Sequence, residues 1–223
     1  DRIDVVVKAL HFNTRFLNEL LLRIEDDIRP ETTVPPEITF TTAEIDRMNA
    51  EIRAVHLPPA LRRRIEFFAA QFEHCEEAAR QLEYMTKDTA KLSAVEWHTL
   101  VSTGTGKDRS QDLGLQTKNG LSVRALLTCL VYVKAMAYFR GDREVSFEDL
   151  RQIIPFVLHD KLAQYADAPF FEAPAHGAFR IDYISWIRQL FDAACREYDR
   201  LGLDADDPVG ELETELAAGL DGV

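Results

Sequence analysis

Cysteine is scarce in this chain. Its 223 residues hold three, Cys75, Cys129 and Cys195. They are odd in number and far apart, with no Cys-x-x-Cys or Cys/His ligand spacing, which excludes a disulfide framework and the usual zinc patterns. They read as small core residues of a reducing, cytoplasmic compartment. No apolar run reaches the roughly 20 residues that a spanning helix needs, and no segment has the layout of a secretory signal peptide. Positive charge is also in deficit: 26 Lys and Arg stand against 38 Asp and Glu, a formal net charge of −12. Such a field repels nucleic acid and anionic membrane, so neither is an expected partner. The basic triplet Arg62-Arg63-Arg64 sits among apolar helix residues and reads as a solvated face. No Ser/His/Asp or Cys/His arrangement of recognisable spacing is present, and no acid pair stands out as an acid/base couple.

What is present suffices for a core. Apolar residues make up 46% and charged residues 29%, the balance of an ordinary globular protein of one or two domains. Residues 4–10, Asp-Val-Val-Val-Lys-Ala-Leu, read as a strand, since three successive valines suit a strand covered on both faces. No other segment pairs with it convincingly, and a lone strand is not stable. The chain also opens at Asp1, so residues 1–10 are expected to be the end of a preceding domain. The rest is helical. Phe16, Leu17, Leu20, Leu21 and Ile24 keep helical spacing, and Pro30, Pro35 and Pro36 make 27–40 an irregular connection. Thr41-Thr42-Ala43-Glu44 is a capping box opening a helix with Ile45, Met48, Ile52 and Val55 on one face. Pro58-Pro59 ends it. A long helix is expected over 60–84, its stripe formed by Leu61, Ile65, Phe68, Phe72, Ala79 and Leu82.

Residues 85–119 are polar and rich in Gly, Thr and Lys; they read as an insertion with a short helix at 94–101. An almost wholly apolar helix over 123–139 comes next. Ser146 and Asp149 cap the following helix, which carries Leu150, Ile153, Ile154, Val157 and Leu158. Residues 163–179, with Phe170-Phe171, read as a packed loop. The last helix carries Ile184, Ile187, Leu190, Phe191, Ala194, Tyr198 and Leu201. With Trp186 its aromatic stripe reads as core, or as a face for a partner helix. The acidic end, 202–223, is weakly helical.

Three features bear on chemistry. Arg124 lies in the first turn of the apolar helix, directly after Gly120-Leu121-Ser122-Val123. A charge at the edge of a core is costly unless something anionic meets it, and a guanidinium forks well onto phosphate oxygens. The bland alternative is pairing with a nearby carboxylate. Second, Ser102-Thr103-Gly104-Thr105-Gly106-Lys107-Asp108 imitates a phosphate-binding loop. Val101 stands where that pattern needs glycine, Asp108 stands where it needs Ser or Thr, and no buried strand precedes it; it reads as a loop within the insertion. Third, the histidines form no cluster. His74 with Cys75, Glu73, Glu76 and Glu77 sits on a helix where adjacent side chains point apart, and His56 and His98 read as packing or surface residues.

The order of several short elements resembles the MoxR-type AAA+ ATPases, in particular their RavA-like branch, over about residues 1–162. Asp1-Arg2-Ile3-Asp4 resembles the family's Asp-Arg-Phe/Met element. Thr42 to Ile45 through Val55-His56-Leu57-Pro58 resembles its first lid helices. Gly120 to Arg124 resembles its Gly-x-Ser-x-Arg element. Gly141 to Leu150 resembles its Gly-Arg-x-x-Val-x-x-x-Asp stretch, with Asp142 replacing the usual arginine. Leu158-His159-Asp160-Lys161-Leu162 resembles its closing Leu-x-His-Arg element, with lysine for arginine.

The resemblance implies a mainly α fold: an AAA+ lid-type helical bundle with a remnant core strand. It divides the chain into the end of an ATPase core (1–26), a lid with an insertion (27–162, insertion 85–119) and a C-terminal helical extension (163–223). It implies that Arg124, with Ser122, binds nucleotide as the second sensor and that Arg2 acts as an arginine finger in a neighbour's site. His159 is the one histidine with a family counterpart, expected in an interface. ATP and Mg²⁺ would be bound by the parent protein, a ring, expected as a hexamer, working in chaperone-like maturation beside a protein with a von Willebrand factor A domain. The chain itself would not hydrolyse ATP and would hold no metal. The rival reading is a helical adaptor that binds a protein without nucleotide.

Overall fold

The computed structural model describes residues 3–7, 14–29, 34–73 and 113–204. Among them the regular structure is helical. The chain divides into two compact units, one of residues 7–54 and one of residues 1–6 with 55–223.

The smaller unit holds α1 (Leu17–Glu25) and α2 (Thr42–Ala54). The spacing that predicts α1 is sound, but Phe16, Leu17, Leu20, Leu21 and Ile24 are all exposed. Its end is closed by Asp27 in the left-handed region at φ 49°, which lets the Ile28 amide reach back to the Arg23 carbonyl at 2.9 Å. An aspartate tolerates this conformation better than most residues. The capping box before α2 is formed as expected: the Thr41 amide donates to Glu44 Oε2 at 2.8 Å, and the Glu44 amide donates to Thr41 Oγ1 at 3.3 Å. The Thr41 amide and the Thr41 hydroxyl, which also donates to Glu44 Oε2 at 2.8 Å, hold the Glu44 carboxyl below its ordinary range.

The larger unit holds α3 (Pro59–Glu73), α4 (Val123–Arg140), α5 (Phe147–Leu158) and α6 (Tyr183–Arg200). Helix α5 packs against both α4 and α6, and α3 packs against α6. Apolar residues at three- and four-residue spacing explain why each helix turns one side inward. The shared core is built from Ile65, Phe68 and Phe72 of α3, Cys129 and Val133 of α4, Leu150 and Ile154 of α5, and Trp186, Leu190 and Phe191 of α6. Phe68 meets the edges of both Phe72 and Phe191, with ring centroids 4.9 and 5.3 Å apart. Ion pairs fasten the rim. Arg151 grips Asp192 through two hydrogen bonds of 2.8 and 2.9 Å. Arg64 meets Asp199 at 2.6 Å and Asp204 at 2.9 Å while lying over the Tyr198 ring. The basic triplet is thus partly an ion-pair anchor for the end of α6, more than a solvated face.

Two expectations are revised. Residues 4–7 form no strand: they run without a ladder partner, and Val7 is 83% exposed. Valine propensity alone does not make a strand when no second strand supplies its hydrogen bonds. The end of the polar stretch 85–119 is part of the body, since Gly114, Leu115 and Gln116 form a buried turn against α3 and Thr117 is buried beside them. The aromatic stripe of α6 is core, the first of its two readings: Trp186, Phe191 and Tyr198 are buried, which leaves them unable to dock a partner helix. The packed loop 163–179 is as expected, with Phe170 and Phe171 buried in successive tight turns. Helix α3 is described to Glu73; Ala79, Leu82, the helix at 94–101, the loop at 102–108, the residues His74, Cys75 and His98, the strand positions 8–10 and the tail 205–223 lie outside the described residues.

Candidate functional site at the start of α4

Ser122 is the N-cap of α4. Its hydroxyl oxygen accepts from the Ala125 amide at 3.2 Å, which satisfies one of the helix's unpaired donors. Val123 and Arg124 then occupy the first turn. Ala125, Thr128, Cys129, Val133 and Ala137 face inward, whereas Arg124 is exposed. The helix is therefore not buried all round. Val123 is 71% exposed, and Leu127 and Val131 extend the same outer side. The desolvation argument that singled out Arg124 does not hold, because the residue is exposed. Its chemistry is otherwise unchanged: a fixed cation on a rigid element, beside a helix N-terminus whose amides and dipole favour anions.

The cap is anchored from behind by polar contacts. The Thr117 backbone pairs antiparallel with Gln164; the Lys118 amide donates to the Ala163 carbonyl and the Tyr165 amide to the Gln116 carbonyl, both at 2.8 Å. Asn119 Nδ2 donates to the Gly120 carbonyl at 2.9 Å and to the Lys161 carbonyl at 2.8 Å, and its Oδ1 accepts from the Ala163 amide at 2.8 Å. One side chain thus ties the residues before α4 to those after α5. Trp186 Nε1 donates to Gln116 Oε1 at 3.1 Å. Gly120 lies against the last turn of α3, where a Cβ would sit 3.4 Å from the Phe72 carbonyl oxygen. Sequence reasoning missed Gln116, Thr117, Asn119 and Gln164, because polar residues in a polar stretch look like solvated loop.

The far end of α4 is fixed by the stretch singled out as Gly141 to Leu150. Gly141 adopts φ 83°, the left-handed cap that ends the helix, a conformation glycine takes without strain. The Val145 amide donates to the His56 carbonyl at 2.9 Å and the His56 amide to the Arg143 carbonyl at 3.0 Å, so the Val55-His56-Leu57-Pro58 element is laced to this turn. Asp149 is fully buried. It completes a capping box with Ser146 and receives two hydrogen bonds from Arg140. Burial pushes its carboxyl up, but the bonds from Arg140 and Ser146 outweigh that and hold it below the ordinary range.

Residues 110–176 match the AAA lid domain. This lid-type stretch includes the anchored cap, Arg124, all of α4 and α5, and the packed loop as far as His176. No curated protein and no solved structure matches the chain.

The residues suit one part of a nucleotide site. An exposed guanidinium beside helix amides fits contact with a polyphosphate. No group of three or more His, Cys, Asp or Glu side chains gathers among the described residues to hold a metal ion such as Mg²⁺. Arg2 lies outside the described residues. Among the described residues no helix is long and apolar enough to cross a membrane. Cys129 and Cys195 are buried as expected, and burial pushes their thiols up to about 12 and about 11.

Proposed function

We propose that this chain is the lid portion of a MoxR-type AAA+ ATPase of the RavA-like branch. In this reading Arg124 is the second sensor and touches the phosphates of ATP bound by the ATPase core. Ser122 presents it by capping α4, and Arg2 serves as the arginine finger in the neighbouring subunit's site. ATP and Mg²⁺ are held by the core, and this chain contributes the two arginines. The ring, a hexamer, works in the cytoplasm and couples hydrolysis to chaperone-like remodelling of a client, beside a von Willebrand factor A domain protein.

The observation that carries the reading is the lid-domain match over residues 110–176, with Arg124 exposed on the first turn of α4 within it. A guanidinium on a rigid element moves with the lid as a unit, so nucleotide state and lid angle become linked. A subunit-mixing experiment on the assembled ATPase tests both arginines together. Rings of Arg2→Ala subunits alone, or of Arg124→Ala subunits alone, should lose turnover. Random mixing of the two should restore turnover at roughly a quarter of the sites, because a site then receives its sensor from one subunit and its finger from the next. Mixed rings as inactive as the separate ones would contradict the assignment of one arginine in cis and the other in trans.

A further inference from the structure

Lys161 occupies an unusual position. Its side chain is only 5% exposed. An ammonium is costly to bury and is retained where a partner meets it. Its Nζ donates to the backbone carbonyl of Ile3 at 2.9 Å and lies 3.4 Å from both carboxylate oxygens of Asp160. The main contact therefore falls on a carbonyl 158 residues away in the chain. The same short segment is held at two further points: Thr128 Oγ1 of α4 donates to Asp4 Oδ1 at 3.3 Å, and Val5 packs against the core. Lys161 is also bound to the α4 anchor, since its own carbonyl accepts from Asn119, which grips Gly120.

We infer that Lys161 is a positioning residue, a latch that fastens residues 3–5, and with them the attachment point of Arg2, to the helical unit that carries Arg124. The path is continuous: Ile3 carbonyl, Lys161, Asn119, Gly120, α4. Ile3 follows Arg2 directly in the chain, so the latch acts on the residue next to Arg2. Its consequence for catalysis rests on the function proposed above: the two arginines would be set relative to each other by one buried lysine, and a change at either would reach the other through two side chains. The latch itself does not depend on that reading. A lysine supplies one point contact here, where an arginine would supply a fork.

The test has two arms. In the first, backbone ¹⁵N order parameters are measured on the 223-residue chain, on Lys161→Met, on Lys161→Arg and on Thr128→Val, which releases Asp4 without touching Lys161. The amides of Asp4 and Val5 should show order near 0.85 in the parent chain and fall below about 0.6 in Lys161→Met. They should be intermediate in Thr128→Val and recover in Lys161→Arg, with α4 and α5 unchanged throughout. In the second arm, the assembled ATPase carrying Lys161→Met should lose about tenfold or more in kcat with nucleotide affinity unchanged, again recovered by Lys161→Arg. Order parameters for Asp4 and Val5 that do not respond to Lys161→Met would overturn the latch. A released segment with unchanged kcat would overturn the positioning role. If Arg124→Ala left nucleotide affinity untouched, the ATPase reading would fail while the first arm still stood.

Discussion

Asp149→Ala is the perturbation that should damage the fold most per atom removed. The carboxylate is fully buried, receives two hydrogen bonds from Arg140, and accepts from the Ser146 amide and hydroxyl at 2.8 Å each. Loss of a capping residue costs about 1 kcal/mol, and loss of charge-assisted hydrogen bonds costs about 1.5–3 kcal/mol. Breaking a fully buried pair costs about 3–5 kcal/mol. Here the cation is 39% exposed and keeps Asp142 at 2.7 Å, so it is not stranded, and the lower end applies. The expected loss is about 3 kcal/mol, a fall in Tm of roughly 6–12 °C for a chain of this length.

Thermal unfolding followed by circular dichroism, with urea titration at pH 7, measures it. Asp149→Asn keeps an acceptor for the Ser146 amide and should lose less. The pH dependence has a defined sign. The folded carboxyl sits below its ordinary value of 3.8, so its contribution is complete above that value and disappears as pH falls through the lowered one. The gap between the parent chain and Asp149→Asn should therefore hold steady from neutral pH to about 4 and close below it. A loss under about 1 kcal/mol for Asp149→Ala, or a gap that does not narrow in acid, would refute the reasoning.

Other substitutions probe the remaining joints. Gly141→Ala meets no atom within 4 Å, so its cost should be the backbone strain alone, about 1–2 kcal/mol by urea titration. Trp186→Phe should cost about 2–4 kcal/mol in the same assay, because it leaves a cavity and removes the indole donor from buried Gln116; an equal loss in a Gln116→Leu background would mean that bond contributes nothing. Cys129 and Cys195, with thiols pushed up to about 12 and about 11, should resist iodoacetamide at pH 8 in the folded chain and react once it is unfolded, as read by peptide mass mapping.

The parts of this fold legible in the sequence are those where local chemistry and burial agree. The capping boxes at Thr41/Glu44 and Ser146/Asp149 are written in adjacent residues, and α5 and α6 carry their apolar residues at one spacing. Val5, Val6 and Val7 misled because strand formation depends on a partner that propensity does not supply. The buried turn at Gly114–Gln116 was hidden by its composition: Gln116, Thr117 and Gln164 are polar, and only their hydrogen bonds to Trp186, Gly114 and Phe179 make burial tolerable. At the candidate site the position of Arg124 on the first turn was legible. Its exposure was not, because α4 is apolar nearly all round and the sequence does not say which side meets the core. The role of Lys161 was equally hidden, since its partner is a backbone carbonyl at the other end of the chain.

The central claim is that Arg124 contributes to a nucleotide site. Its most direct test is the affinity for a fluorescent ATP analogue of the assembled protein to which this chain is proposed to belong, parent against Arg124→Ala, with ATP turnover measured in parallel. One charge-assisted contact from a guanidinium to phosphate predicts a weakening of about tenfold to a hundredfold, together with a loss of turnover. Unchanged affinity and unchanged turnover in a folded Arg124→Ala protein would contradict the account.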